Sequence, residues 1–251
     1  MAGRERRSMM TGAQAAHCGS VSAISLGLPV STAIPEAKGT LPKALFVGKA
    51  PISGKLKQRL VNEIESITML ALARSANTGL ADGKLIPEVL VIGLKLTAKA
   101  TGIPNEVIDL IAGQRKSGIV FVCVRDVPFE GSTREECAFA VRRAIPGRAG
   151  HTPIYQVYAG DWQPAGEAQL ELASSTIDEL WASLCSQTIL GTPEVENLDA
   201  RIIRHTEIAR LESEVDKLTR DHQRVKNPAQ RNEIYAKLHK AKAQLAKLRE
   251  A

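Results

Sequence analysis

The chain has 251 residues, enough for one large domain or a domain with an appendage, and its hydrophobic content of 44% is that of a globular protein. Lys and Arg outnumber Asp and Glu by 33 to 27, a formal net charge of +6, while aromatic residues make up only 4%. No apolar run approaches the roughly 18 to 20 residues that a membrane-spanning helix needs, so a soluble protein is expected. The four cysteines, Cys18, Cys123, Cys137 and Cys185, show no CxxC and no short Cys/His spacing. That argues against a zinc site or a disulfide framework and for reduced thiols in a cytoplasm.

Residues 1–39 read as a disordered or extended N-terminal segment. Arg4, Arg6 and Arg7 are followed by small and polar residues as far as Lys38, and 21–30 is too weakly apolar for a signal peptide. After Pro42, the apolar run 44–47 predicts a short strand. A helix is expected to open at Ser53 or Gly54, because Leu56, Leu60, Val61, Ile64, Ile67 and Leu70 recur at three- and four-residue intervals. Asn77, Gly79 and Gly83 mark 73–83 as a loop.

Residues 88–97 (Glu-Val-Leu-Val-Ile-Gly-Leu-Lys-Leu-Thr) predict a mostly buried strand. Pro104 opens a short helix that carries Val107, Ile108, Leu110 and Ile111 and ends near Gly113. The run 118–124 is apolar on both faces and predicts a central strand. Strands are also expected at 136–143 and 153–158, and a helix at 170–190 with Leu172, Ile177, Leu180, Leu184 and Ile189 inward. This order predicts an α+β domain over 40–196, a mainly antiparallel sheet with flanking helices.

From Leu198 the composition changes. Ile208, Leu211, Val215, Leu218, His222 and Val225 step by threes and fours, and Ile234, Leu238, Ala241, Leu245 and Leu248 continue after Asn227-Pro228. Asn227 is placed as an N-cap, Pro228 as the first helical residue and Gln230 at the capping-box position. Residues 197–251 are therefore expected to form a basic antiparallel helical hairpin, a coiled coil with arms of roughly 35 Å. Pairing positions whose numbers sum to 456 sets Leu218 on Leu238, Val215 on Ala241, Leu211 on Leu245 and Ile208 on Leu248, with His222 opposite Ile234 and Asp221 near Lys237.

Residues 201–251 hold 13 Lys and Arg against 7 Asp and Glu, a net of +6, so residues 1–200 carry 20 of each and are neutral. Arg210, Lys217 and Arg224, seven apart with Arg220 beside them, form one outer stripe; Lys240 and Lys247 form another. Such stripes suit phosphates, or an acidic protein partner.

The body offers less chemistry. A metal-dependent nuclease core wants an acid on one strand and Glu-x-Lys on the next, yet Gly93 stands where the carboxylate before Lys95 would be, and the spacing of Asp82 and Glu88 does not supply it. The stretch from Gly48 and Lys49 to Gly54-Lys55-Leu56 lacks the hydroxyl of a P-loop. Cys137 is read as buried and structural; His151 and Asp161 are assigned nothing. No catalytic residue, metal ligand or cofactor is expected.

Four stretches together are similar to one bacterial family: Leu41-Pro42-Lys43-Ala44-Leu45-Phe46, the helix ending Glu-Ile-Glu-Ser-Ile-Thr at Thr68, Gly-Leu-Lys-Leu at Leu96, and Ile177-Asp178-Glu179-Leu180-Trp181. The chain resembles domain of unknown function 4391 over about residues 40–190. The resemblance implies a small companion of SNF2-type helicases and DNA methyltransferases in phage-defence loci, and it brings no catalytic residues. The family strand carries an acid before its lysine, from which Gly93 departs. The expectation is a non-enzymatic accessory subunit that docks a helicase or methyltransferase-like partner and contacts DNA or that partner through the hairpin. The alternatives are a divergent metal-dependent nuclease and an assembly protein that forms homo-oligomers through the coiled coil.

Overall fold

The computed structural model describes residues 14–48, 52–147 and 152–250. Arg4, Arg6, Arg7, Lys49 and His151 lie outside them. The chain divides into two compact units, Met1–Val195 and Glu196–Ala251.

The first unit is an α+β domain around a mixed, mainly antiparallel sheet. Its strands are β3 (Ile64–Ala73), β4 (Val89–Leu96), β5 (Gly118–Phe129), β6 (Ser132–Ala144) and β7 (Tyr155–Ala159), side by side in that order, and the short β8 (Gln163–Pro164) pairs with the start of β6. Only β4 and β5 run parallel, joined through α5 (Asn105–Gly113). The β5–β6 hairpin turns at Glu130 and Gly131, both at positive φ, as a two-residue turn requires.

Each strand alternates between two covered faces. On one, Leu90, Ile92, Leu94, Ile119, Phe121 and Cys123 pack with Leu60 of α3 (Gly54–Glu63), Phe46 of α2 (Ala44–Val47) and the Val107, Ile108 and Ile111 stripe of α5. On the other, Val89 and Val91 meet Leu180 and Leu184 of α6 (Ile177–Leu190) and Leu28 of the N-terminal segment.

Five expectations need correction. The helix begun at Gly54 ends at Glu63, and Ile64, Ile67 and Leu70 belong to β3. Register shifts at Ile64/Ser66 and Met69/Ala71 insert extra residues into that strand. Each insertion stretches the inward spacing from two residues to three, so a bulged strand imitates a helix. The run 44–47 is one helical turn rather than a strand: Phe46 enters the core, and the Lys43 ammonium donates to the Ile64 and Val61 carbonyls. The late helix starts at Ile177, not at 170, because Thr176 accepts from the Glu179 N–H and Glu179 accepts in return from the Ser175 N–H.

The fourth concerns residues 14–39, which are ordered. Strands β1 (His17–Cys18) and β2 (Val21–Ser22) turn at Gly19, and the single-turn α1 (Glu36–Gly39) follows. Ala16, Cys18, Val21, Ala23, Leu26 and Leu28 are buried. The Ile34 and Leu41 N–H groups donate to the Leu70 and Ile67 carbonyls at 3.0 and 2.8 Å. The segment thus covers the free edge of β3, which would otherwise expose an unpaired row of backbone groups. The expected loop 73–83 also contains one helical turn, α4 (Ser75–Thr78).

The second unit consists of α7 (Leu198–Arg224) and α8 (Pro228–Glu250), packed against each other across a three-residue turn.

Candidate nucleic-acid interface

The turn between α7 and α8 is fixed by its sequence. The Asn227 side-chain oxygen accepts from the Ala229 and Gln230 N–H groups at 2.9 and 3.3 Å, an N-cap that holds the α8 donors. Leu211, Leu238, Ala241 and Leu245 are buried, and Ile208, Val215, Leu218, His222, Ile234 and Leu248 are half-buried. Every seam position expected from the apolar spacing is therefore shielded. At the open end, Arg204 donates to the Leu248 and Arg249 carbonyls at 2.8 and 3.2 Å, and Arg249 meets Glu212 at 2.6 Å.

The six basic positions singled out in the sequence, Arg210, Lys217, Arg220, Arg224, Lys240 and Lys247, are all exposed. They are not equivalent. Arg210 is clamped by Glu207 and Glu214, each at 2.8 Å, and these hydrogen bonds raise its pKa above the usual guanidinium value while lowering that of Glu207. Its charge is already matched by two acids. Arg220 donates to the Asp216 carbonyl. Lys217, Arg224, Lys240 and Lys247 form no salt bridge among the described residues. Lys237 pairs with Glu233 one turn earlier, at 2.7 Å, rather than with Asp221 as the register suggests. An i,i+4 neighbour on the same helix wins over a partner across the seam.

Near the turn, the His222 and Tyr235 rings lie 5.9 Å apart, and His239 stands 6.5 Å beyond Tyr235. The sequence pattern sets Ile234 opposite His222; the tyrosine one residue along is the ring neighbour. Tyr235 is mostly exposed, the one tyrosine of this unit.

The body spends part of its charge internally. Lys95 reaches from β4 to Asp126 of β5 at 2.8 Å and to Glu135 of β6 at 2.6 Å, with its side chain only 12% exposed. Burial disfavours the ammonium, but hydrogen bonds to the two acids outweigh it and hold the Lys95 pKa above the ordinary value. Burial likewise opposes the Glu135 carboxylate, yet Lys95 and the Ser20 N–H, 2.7 Å away, keep its pKa below the usual range. On the opposite face, Glu136 accepts from Arg125 and Arg134 at 2.8 and 2.6 Å, and Arg125 lies over the Trp162 ring at 3.8 Å.

Neither set is legible from one strand, since each joins residues that only the sheet brings together. The Lys95 set ties the β1–β2 turn onto the sheet. Among the described residues, no three His, Cys, Asp or Glu side chains are grouped to hold a metal ion. A Cβ added to Gly93 would stand 2.4 Å from that of Cys18, so the position read as a missing nuclease acid is filled by the N-terminal segment. All four cysteines are free and buried; burial pushes the Cys18 and Cys185 thiols up to about 12 and Cys137 to about 11, which makes poor nucleophiles of them.

The profile of domain of unknown function 4391 (DUF4391) matches residues 26–245. The chain belongs to this family. The match is wider than the 40–190 resemblance in both directions. It begins within the segment that covers β3 and runs almost to the end of α8, so the DUF4391 pattern takes in both units. No curated protein and no solved structure matched the chain.

Proposed function

We propose that this DUF4391 protein is a non-enzymatic accessory subunit of a cytoplasmic DNA-processing or phage-defence system. The hairpin, packed as a short antiparallel coiled coil, contacts the DNA backbone, and the body docks a larger helicase or methyltransferase-like subunit. One observation carries the DNA contact: Lys217, Arg224, Lys240 and Lys247 are exposed and lack acidic partners among the described residues, within residues 201–251, which hold the chain's entire net charge. Phosphates answer such charges without demanding a shaped pocket, and each contact releases counterions. With one tyrosine on the unit, a backbone contact fits better than base stacking. The docking of a larger subunit rests on the family resemblance.

The test is duplex DNA binding by the full chain and by a variant with Lys217, Arg224, Lys240 and Lys247 all changed to Glu. The expected result is binding by the parent and at least about a hundredfold loss in the variant at low salt. Equal affinity would remove the hairpin from the DNA contact.

A further inference from the structure

The charges of the body are not evenly spread. A cleft of about 690 Å³ opens at one end of the sheet, beyond Gly118 where β5 begins and Ala144 where β6 ends. Its lining includes four cations, Arg115, Lys116, Arg142 and Arg143, and two aromatic rings, Tyr155 and Trp181. That volume lies within the roughly 300–1,000 Å³ of small-molecule sites.

The nearby acids already have partners. Asp178, in the lining itself, accepts from the backbone N–H groups of Lys84, Leu85 and Ile86 at 2.6 to 3.2 Å. Asp109 pairs with Arg142, and Glu88 with Arg74 and Ser117. Arg115 and Lys116 are left on the turn between α5 and β5, exposed and without a salt bridge among the described residues.

The rings are held in place. Trp181 lies so close to β5 that a Cβ added to Gly118 would stand 2.6 Å from the indole. The Arg142 guanidinium, anchored by Asp109, sits 4.0 Å over the Tyr155 ring. A fixed aromatic wall costs little ordering when a flat ligand stacks on it.

We propose that this cleft binds a nucleoside phosphate, with Arg115 and Lys116 on the phosphate and the base against the Trp181 and Tyr155 walls. The cations alone would accept any phosphate; the rings beside them select one that carries a planar group. The ligand is either a free nucleotide or the phosphorylated end of a nucleic acid strand. This site lies in the body and stands or falls independently of the hairpin's DNA contact.

Trp162 and Trp181 are the only tryptophans, so Trp162→Phe in the full chain leaves Trp181 as the sole indole reporter. Its fluorescence is followed during titration with ATP and, separately, with 5′-phosphorylated dithymidine; calorimetry on the unmodified chain provides a check independent of the reporter. Saturable binding is expected with at least one probe, weakened about tenfold or more by Arg115→Glu with Lys116→Glu, and unchanged by Lys217→Glu with Arg224→Glu. Binding of ATP alone assigns a free nucleotide, and binding of the dinucleotide alone assigns a strand end. No saturable binding of either probe, or undiminished binding by the Arg115/Lys116 variant, overturns the proposal.

Discussion

The two units of this chain use charge in opposite ways. In the body, Lys95, Glu135, Glu136, Arg125 and Arg134 are paired at 2.6 to 2.8 Å and partly or wholly shielded from water. In the hairpin the apolar seam holds the helices together, and much of the charge is left facing solvent. Buried pairs specify geometry at a desolvation cost, whereas exposed cations remain available to a ligand. The paired residues of the body are architecture, whereas Lys217, Arg224, Lys240 and Lys247 of the hairpin, like Arg115 and Lys116 of the body, face solvent.

The strongest way to break this contrast is to force a charge where the body has closed. Gly93→Asp, the acid expected of the family strand, drives its side chain into Cys18 and is predicted to destabilise the fold by on the order of 3 kcal/mol. Urea unfolding followed by circular dichroism checks this. A variant as stable as the parent would mean that room for the acid exists.

Lys95→Met comes next. It leaves Glu135, 23% exposed, and Asp126, 50% exposed, without their cation, for a loss of about 2 kcal/mol at neutral pH. Because the folded Glu135 pKa is depressed, its stabilisation is present above the ordinary carboxylate range and fades as pH falls through the folded value. The Lys95 pKa is raised, so its share is present below the ordinary lysine range and is lost as pH rises through the folded value. The gap between parent and variant should therefore be widest from about pH 5 to pH 10 and close on the acid side. Urea midpoints from about pH 2 up through that plateau decide it, and a gap that stays open on the acid side would count against the ion pair.

Smaller effects are expected in the hairpin. Asn227→Ala removes the acceptor for the Ala229 and Gln230 N–H groups and should cost about 1 kcal/mol, measured as a lower melting temperature or faster amide exchange at the start of α8. Least of all, Arg210→Gln should leave DNA affinity nearly unchanged, since Glu207 and Glu214 already answer that charge. A loss as large as that from Lys217→Gln would erase the distinction between paired and available cations.

What is legible in the sequence follows the range of the interactions involved. The hairpin seam and the Asn227 cap depend on neighbours two to four residues away, and both are readable in the sequence. So is β5, a run apolar on both faces. The β3 strand reads as a helix because its two bulges produce a helical spacing, and only pairing with β4 reveals them. The segment 14–39 scatters its apolar residues among Ser, Gly and Pro; it is ordered by bonds to a strand some thirty residues further on. The Lys95 set joins residues 31 and 40 positions apart, and the basic cleft draws on α5, β5, β6, β7 and α6. No local pattern announces either.

The most direct measurement of the central claim is the salt dependence of duplex DNA binding for the parent and for a variant with Lys217, Arg224, Lys240 and Lys247 changed to Gln. If these four cations face phosphates, the slope of log Kobs against log salt should flatten by about 0.9 for each phosphate left without its cation, up to roughly 3.6 for all four. An unchanged slope, with DNA still bound, would contradict the account and move the DNA-binding surface elsewhere on the molecule.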